Sequence, residues 1–131
     1  MTYKLYKSYK LSFYKIINLR SFINHKVKIN TMDLESTHAP LFSIITVTYN
    51  AASTLPRTLA SVKSQTCRLF EYLIIDGASS DETLDLAKSA GIAEMKIESG
   101  KDKGIYDAMN KGLNMAKGEY VIFLNAGDAF H

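Results

Sequence analysis

Two aspartates stand where a chain can put a carboxylate to use: Asp76, directly after Ile74-Ile75, and Asp128, in the loop after Phe123-Leu124. An ionised carboxylate just beyond a buried strand suits two tasks. It accepts hydrogen bonds from ribose hydroxyls or a base N–H, and it holds a hard divalent cation through oxygen. The first task suits Asp76, the second Asp128. Each position also has a plainer reading. Asp76 precedes Gly77, and Asp-Gly favours a turn; Asp128 lies near His131, where a solvated acid is common. Position alone leaves both choices open.

The elements that must carry these residues are regular from Pro40 onward. Leu41–Tyr49 is apolar and β-branched without a helical period, the pattern of a strand buried on both faces of a parallel sheet. Ser53-Thr54-Leu55-Pro56 supplies a cap and a first-turn proline, and Leu55, Leu59 and Val62 follow as one helical stripe. A second strand, Tyr72–Ile75, runs into Asp76-Gly77-Ala78-Ser79. Ser79 and Glu82 have capping-box spacing, which predicts a helix packing Leu84, Leu86 and Ala87 and stopping near Gly91. A short strand is expected over 95–98. A helix is expected over 104–117, with Ile105, Met109, Leu113 and Ala116 inward and Gly118 as its stop. Tyr120–Leu124 reads as a fourth buried strand. Strands alternating with helical crossovers predict an α/β fold, an open, mainly parallel Rossmann-like sheet. Ligands bind such sheets beyond the carboxyl ends of the strands. That rule selects Thr48–Asn50, Asp76–Ser79, Glu98–Gly100 and Asn125–Asp128.

Several functional classes drop out. No Gly-x-Gly-x-x-Gly follows the first strand, which ends in Thr48-Tyr49-Asn50-Ala51-Ala52, and no phosphate-binding Gly-x-x-x-x-Gly-Lys-Ser/Thr occurs. A nucleotidyltransferase would carry a glycine-rich basic loop after that strand; Thr48–Thr54 has none. His25, His38 and His131 lie in the tails and form no triad or zinc set, and the single Cys67 excludes an internal disulfide. Length and composition, 131 residues and 47% hydrophobic, suit one soluble domain in a reducing, cytoplasmic setting.

The net charge of +3 hides a division. Residues 1–30 hold seven Lys/Arg and no acid; the rest holds nine Lys/Arg and all 13 Asp/Glu, a net of −4. Residues 1–39 are therefore read apart from residues 40–131. On a helix, Tyr6, Tyr9, Phe13, Ile16 and Ile17 would share a face, so peripheral contact with the inner face of a membrane is one reading. The other is a basic extension, disordered or lying upstream of a natural start at Met32. A charge stripe without a readout element predicts no nucleic-acid partner.

Four stretches carry a resemblance to the GT2 family of glycosyltransferases: 42–50 (Phe-Ser-Ile-Ile-Thr-Val-Thr-Tyr-Asn), 70–83 (containing Ile-Ile-Asp-Gly-Ala-Ser-Ser-Asp), 102–112 (Asp-Lys-Gly-Ile-Tyr-Asp-Ala-Met-Asn-Lys-Gly) and 116–128 (ending Leu-Asn-Ala-Gly-Asp). Their order and spacing make the match specific, and two of them look like the subset that builds bacterial surface polysaccharides of the colanic-acid type. The resemblance implies the N-terminal, nucleotide-sugar-binding half of a GT-A fold over residues 40–131. It implies that Val47, Thr48, Tyr49 and Asn50 frame the donor base, that Asp76 with Gly77 contacts base or ribose, and that Asp81 lies beside that pocket. The segment with Asp102, Gly104, Asp107 and Asn110 would close over the diphosphate, with Lys103 or Lys111 adding charge. The family's Asp-x-Asp metal loop corresponds to Asn125-Ala126-Gly127-Asp128, which keeps one acid: Asp128, with Asn125 as a neutral oxygen, would hold Mg²⁺ or Mn²⁺. The implied reaction, inverting, moves a sugar from a nucleotide-diphosphate donor to a hydroxyl of a saccharide or lipid-linked acceptor. The resemblance places the catalytic base beyond His131, so this chain is expected to be a truncated, inactive fragment. The alternative is a non-catalytic nucleotide-sugar-binding module.

Overall fold

Four strands and three helices alternate in the computed structural model, which describes residues 40–130. The basic segment 1–39, with its membrane and extension readings, and His131 lie outside the described residues. The elements are β1 (Phe42–Thr48), α1 (Leu55–Lys63), β2 (Phe70–Asp76), α2 (Thr83–Ser89), β3 (Met95–Ser99), α3 (Ile105–Met115) and β4 (Tyr120–Phe123). The sheet is parallel throughout, in the order β3-β2-β1-β4. Its register pairs Thr48 with Asp76 and Asp76 with Ser99, so three strand tips end side by side. This α/β architecture matches the one expected from the sequence.

β1 and β2 are buried almost throughout because both faces of the sheet are covered. Alternate residues divide between two layers. Phe42, Ile44, Tyr72 and Ile74 meet Leu55, Leu59, Val62 and Ala87 of α1 and α2. Ile45, Leu73 and Ile75 meet Ala108 of α3 on the other face. The Tyr72 hydroxyl, buried beneath α1, donates to Thr46 Oγ1 at 2.9 Å, and Thr46 passes a bond to the Leu124 carbonyl at 2.7 Å. Burial pushes the Tyr72 phenol up to about 12 despite that hydrogen bond.

Three local expectations change. α2 opens at Glu82 with no side-chain cap; the Ser79 hydroxyl of the anticipated capping box donates to Asp76 and accepts from the Asn50 amide instead. Ile105 does not face the core; it is 51% exposed. α3 turns Ala108 and Gly112 inward, since the helix lies so close to the sheet that a Cβ on Gly112 would stand 2.7 Å from Ile45 Cγ2. Gly118 is not the helix stop: α3 ends at Met115. A Cβ on Gly118 would meet the backbone of Phe42 and Ser43 at 2.5 Å, so glycine lets the chain cross the start of β1.

That crossing is pinned by Glu71. Its Oε1 accepts from Ser43 Oγ (2.7 Å) and the Lys117 amide (2.5 Å), Lys96 Nζ lies 3.3 Å from Oε2, and Ser43 Oγ accepts from the Gly118 amide. Burial alone would raise the Glu71 carboxyl, but these donors and the Lys96 charge hold it below its ordinary value.

Candidate nucleotide-sugar site

The aligned tips of β1 and β2 and the loop leading into α3 enclose a cavity of about 560 Å³. Its walls are Val47, Thr48 and Tyr49 after β1, Gly77 and Ala78 after β2, and Lys101, Asp102, Gly104, Ile105 and Ala108 around the start of α3. The volume lies within the range of small-molecule sites, roughly 300–1,000 Å³. Tyr49 is 69% exposed and Ile105 also stands out from the core, so both offer apolar surface at the cavity.

Asp76 sits beneath this cavity rather than in it. It is 1% exposed, and both carboxylate oxygens are occupied: Oδ1 by the Thr48 hydroxyl (3.0 Å) and Ser79 hydroxyl (2.5 Å), Oδ2 by the Ser79 amide (2.9 Å) and Ser99 hydroxyl (2.8 Å). Burial would raise this carboxyl; the bonds from Ser79, Ser99 and Thr48 win and lower it. One buried anion thus ties three strand tips together.

A second set of bonds ties the loop after β1 to the loop after β2. The Asn50 amide donates to Ser79 Oγ at 2.8 Å, and the Ser80 amide returns a bond to Asn50 Oδ1 at 2.9 Å. Asp81 accepts from the Ala52 amide and the Thr83 hydroxyl, which itself accepts from the Ala51 amide. The Thr83 hydroxyl is the main cause of Asp81's lowered carboxyl. These bonds hold Asn50 at φ 48° and Ala78 at φ 60°, left-handed conformations that non-glycine residues seldom adopt.

The entry to α3 is organised by its own acids. Asp102 Oδ1 accepts from the Gly104 amide (2.9 Å) and Asp107 Oδ2 from the Lys103 amide (3.0 Å). Lys111 is engaged too, donating to the Lys101 carbonyl at 2.8 Å and lying 3.8 Å from Asp107. Asn110 faces away from the cavity, into a separate groove with Leu113, Asn114 and Glu119.

The loop after β4 forms a turn closed by the Asp128 amide on the Asn125 carbonyl. Thr58 of α1 anchors it: its hydroxyl donates to the Asp128 carbonyl (2.8 Å) and accepts from the Gly127 amide (2.8 Å). Gly127 has φ 101°, a conformation that strains any L side chain, so this turn cannot hold a second carboxylate at that position without rebuilding. The Asp128 side chain is exposed and accepts no hydrogen bond from the described residues. Among those residues no group of three or more His, Cys, Asp or Glu gathers around a metal position. A lone exposed carboxylate fits a divalent cation carried mainly by a diphosphate and water, not one caged by protein.

Of the residues selected from the sequence, Val47, Thr48, Tyr49, Gly77, Asp102 and Gly104 line one cavity. Asn50, Asp76 and Asp81 hold its loops, Asp107 ties the start of α3, and Asn110, Asn125 and Asp128 stand outside its walls. The strand-end range Asp76–Ser79 takes in Ala78, whereas the sequence points to none of Lys101, Ile105, Ala108 or the anchor Thr58 as site residues. Ile105 and Ala108 were assigned to the core or passed over because only the close approach of α3 decides which way each turns.

Residues 43–131 match the model of Glycosyl transferase family 2. A PGL/p-HBAD biosynthesis glycosyltransferase of Mycobacterium bovis is 45% identical over 96 residues, covering 71% of this chain and 38% of that protein. A UDP-Glc:α-D-GlcNAc-diphosphoundecaprenol β-1,3-glucosyltransferase of Escherichia coli is 36% identical over 67% of this chain and 36% of its own length. The chain thus spans under two-fifths of these relatives. Residues 1–349 of S. aureus TarS, solved in complex with UDP-GlcNAc, superpose with a TM-score of 0.63 at 29% identity, covering 67% of this chain and 27% of that one. Among the described residues no helix is long and apolar enough to cross a membrane. The sheet, the tip cavity and these matches together make the chain a member of glycosyl transferase family 2.

Proposed function

We propose that this chain binds the nucleotide-sugar donor of a glycosyl transfer in the cavity at the tips of β1 and β2. The observation that carries the proposal is that cavity: of suitable size, edged by the exposed Tyr49 and Ile105, and built on loops fixed by Asp76, Asn50 and Asp81. A planar base suits the apolar surfaces of Tyr49 and Ile105. Asp76 acts as a positioning residue, because its oxygens are already taken by protein donors. The diphosphate extends toward the loop after β4, where Asp128, with the neutral Asn125, would hold a Mg²⁺ or Mn²⁺ ion. Such an ion neutralises the departing diphosphate.

The donor sugar passes to a hydroxyl of a saccharide or lipid-linked acceptor, with inversion, in the synthesis of a surface glycan. The E. coli relative supports that class of acceptor by its name, which gives a diphosphoundecaprenol-linked GlcNAc. None of the described residues is assigned as the base that deprotonates the acceptor hydroxyl, so the proposal for residues 40–130 concerns donor binding. Nucleotide donors and a single thiol suit the cytoplasm. Calorimetric titration of the purified chain with UDP and GDP, with and without Mn²⁺, tests the proposal. Binding of one of them, tightened by Mn²⁺, is expected. No binding of either defeats it, and metal-independent binding favours a non-catalytic nucleotide-binding module instead.

A further inference from the structure

Resting on that proposal, we infer that Asp102 is the residue that reads the donor's base, accepting through Oδ2 a hydrogen bond from a ring N–H. The site's two central carboxylates are used differently. Asp76 has no free oxygen and almost no exposure. Asp102 lines the cavity, and among the described residues only its Oδ1 is engaged, by the Gly104 amide. Its Oδ2 lies over Gly77 so closely that a Cβ there would come within 2.8 Å of it, with the Thr48 carbonyl 3.5 Å from the same point. Glycine at 77 therefore makes room for a carboxylate oxygen at the junction of the two nucleotide-binding loops.

The chemistry of that wall narrows what it can face. A carboxylate and a carbonyl are both acceptors, so the complementary edge presents a donor. The diphosphate, an anion, is the wrong partner for Asp102. Beside Asp102, the Lys103 and Gly104 amides are already taken by the Asp107 and Asp102 carboxylates, so neither offers a donor to an anion there. What remains is the nucleoside. On the same walls the exposed Tyr49 offers a flat ring and Ile105 an apolar side chain, which puts a base rather than a sugar beside Asp102. Uracil and guanine carry a ring N–H on the edge a carboxylate would meet; cytosine and adenine present an unprotonated ring nitrogen at that position and offer only an exocyclic amino group beside it, so a carboxylate set for the ring N–H favours the first pair.

The test compares UDP, GDP, CDP and ADP at one fixed Mg²⁺ concentration, by calorimetry, on the wild-type chain, Asp102→Asn and Gly77→Ala. Asp102→Asn retains an Oδ1 acceptor for the Gly104 amide while an amino group replaces Oδ2. The wild type should bind UDP or GDP on the order of ten- to hundredfold more tightly than CDP and ADP, the range of one hydrogen bond to a charged group. Asp102→Asn should erase that preference, mainly by weakening the favoured nucleotide. Gly77→Ala, whose methyl would displace Oδ2, should do the same with Asp102 intact. Equal weakening of all four nucleotides would mean that Asp102 only supports the loop, and equal wild-type affinities would mean that it reads no base; either overturns this inference and leaves the donor site standing. Absence of all nucleotide binding by the wild type would instead defeat the donor-site proposal itself.

Discussion

Replacing Asp76 with alanine should loosen both binding loops at once, and the cost can be worked from its partners. Four donors lose their acceptor: the hydroxyls of Thr48, Ser79 and Ser99 and the amide of Ser79. Ser99 is exposed and its hydroxyl can turn to water, but Thr48 is 5% exposed and cannot. A buried donor left without a partner costs about 1–3 kcal/mol, and here the Thr48 hydroxyl and the Ser79 amide both face that loss. Relief from burying a carboxylate offsets part of it, and loss of the charge-assisted share of the bonds adds to it. The net is about 3–5 kcal/mol, a large part of the roughly 5–13 kcal/mol expected for a domain of this size. At about 4–8 °C per kcal/mol, the melting temperature should fall by more than about 12 °C. Urea unfolding at neutral pH, followed by circular dichroism, measures the difference. A loss below about 1 kcal/mol would refute the reasoning, since it would mean that the four bonds do not hold the strand tips together.

Further outcomes follow from the same geometry. Asp76 and Glu71 both have carboxyls lowered from their ordinary values of 3.8 and 4.5, so the unfolded chain binds more protons in acid. Their stabilisation is complete above about 4.5 and is lost as pH falls through the folded values; Glu71→Gln should flatten the stability–pH curve below about 4.5, as urea midpoints across that range would reveal. Gly118→Ala sets a methyl 2.5 Å from both atoms of the Phe42–Ser43 peptide bond, which cannot yield as a side chain would, and should cost about 1–3 kcal/mol or more by thermal melting. Asp128→Asn should leave the fold and metal-free UDP affinity unchanged while removing most of the tightening by Mn²⁺; retained tightening would place the ion elsewhere.

Much of the fold was legible because burial on both faces erases periodicity: Ile44–Val47 and Leu73–Ile75 read as parallel core strands for that reason. The α1 stripe of Leu55, Leu59 and Val62 was legible because nothing competes with it. On α3 the apolar periodicity places Met109 in the core and Leu113 and Ala116 against it, as the structure has them, but misplaces Ile105, because the short distance to the sheet turns Ala108 and Gly112 inward instead. The Ser79–Glu82 spacing misleads because the Ser79 hydroxyl gives its proton to the buried Asp76 and accepts from the Asn50 amide rather than from a helix amide. The strand-end rule and the family resemblance found Tyr49, Gly77 and Asp102. Neither could separate Asp76 from Asp102 in role, since that depends on which oxygens the fold has already satisfied. Thr58 was invisible for the same reason: its partners on the β4 loop lie about 70 residues away in sequence.

The central claim is that the nucleotide lodges between the tips of β1 and β2 and the start of α3. Amide chemical-shift mapping of the chain during titration with UDP and Mg²⁺ tests it most directly. The account predicts that the largest shifts fall on Thr48, Tyr49, Gly77, Ala78, Asp102 and Gly104, with smaller ones reaching Asp128. Shifts confined to the groove around Asn110 and Glu119, or scattered without reference to the strand tips, would contradict it.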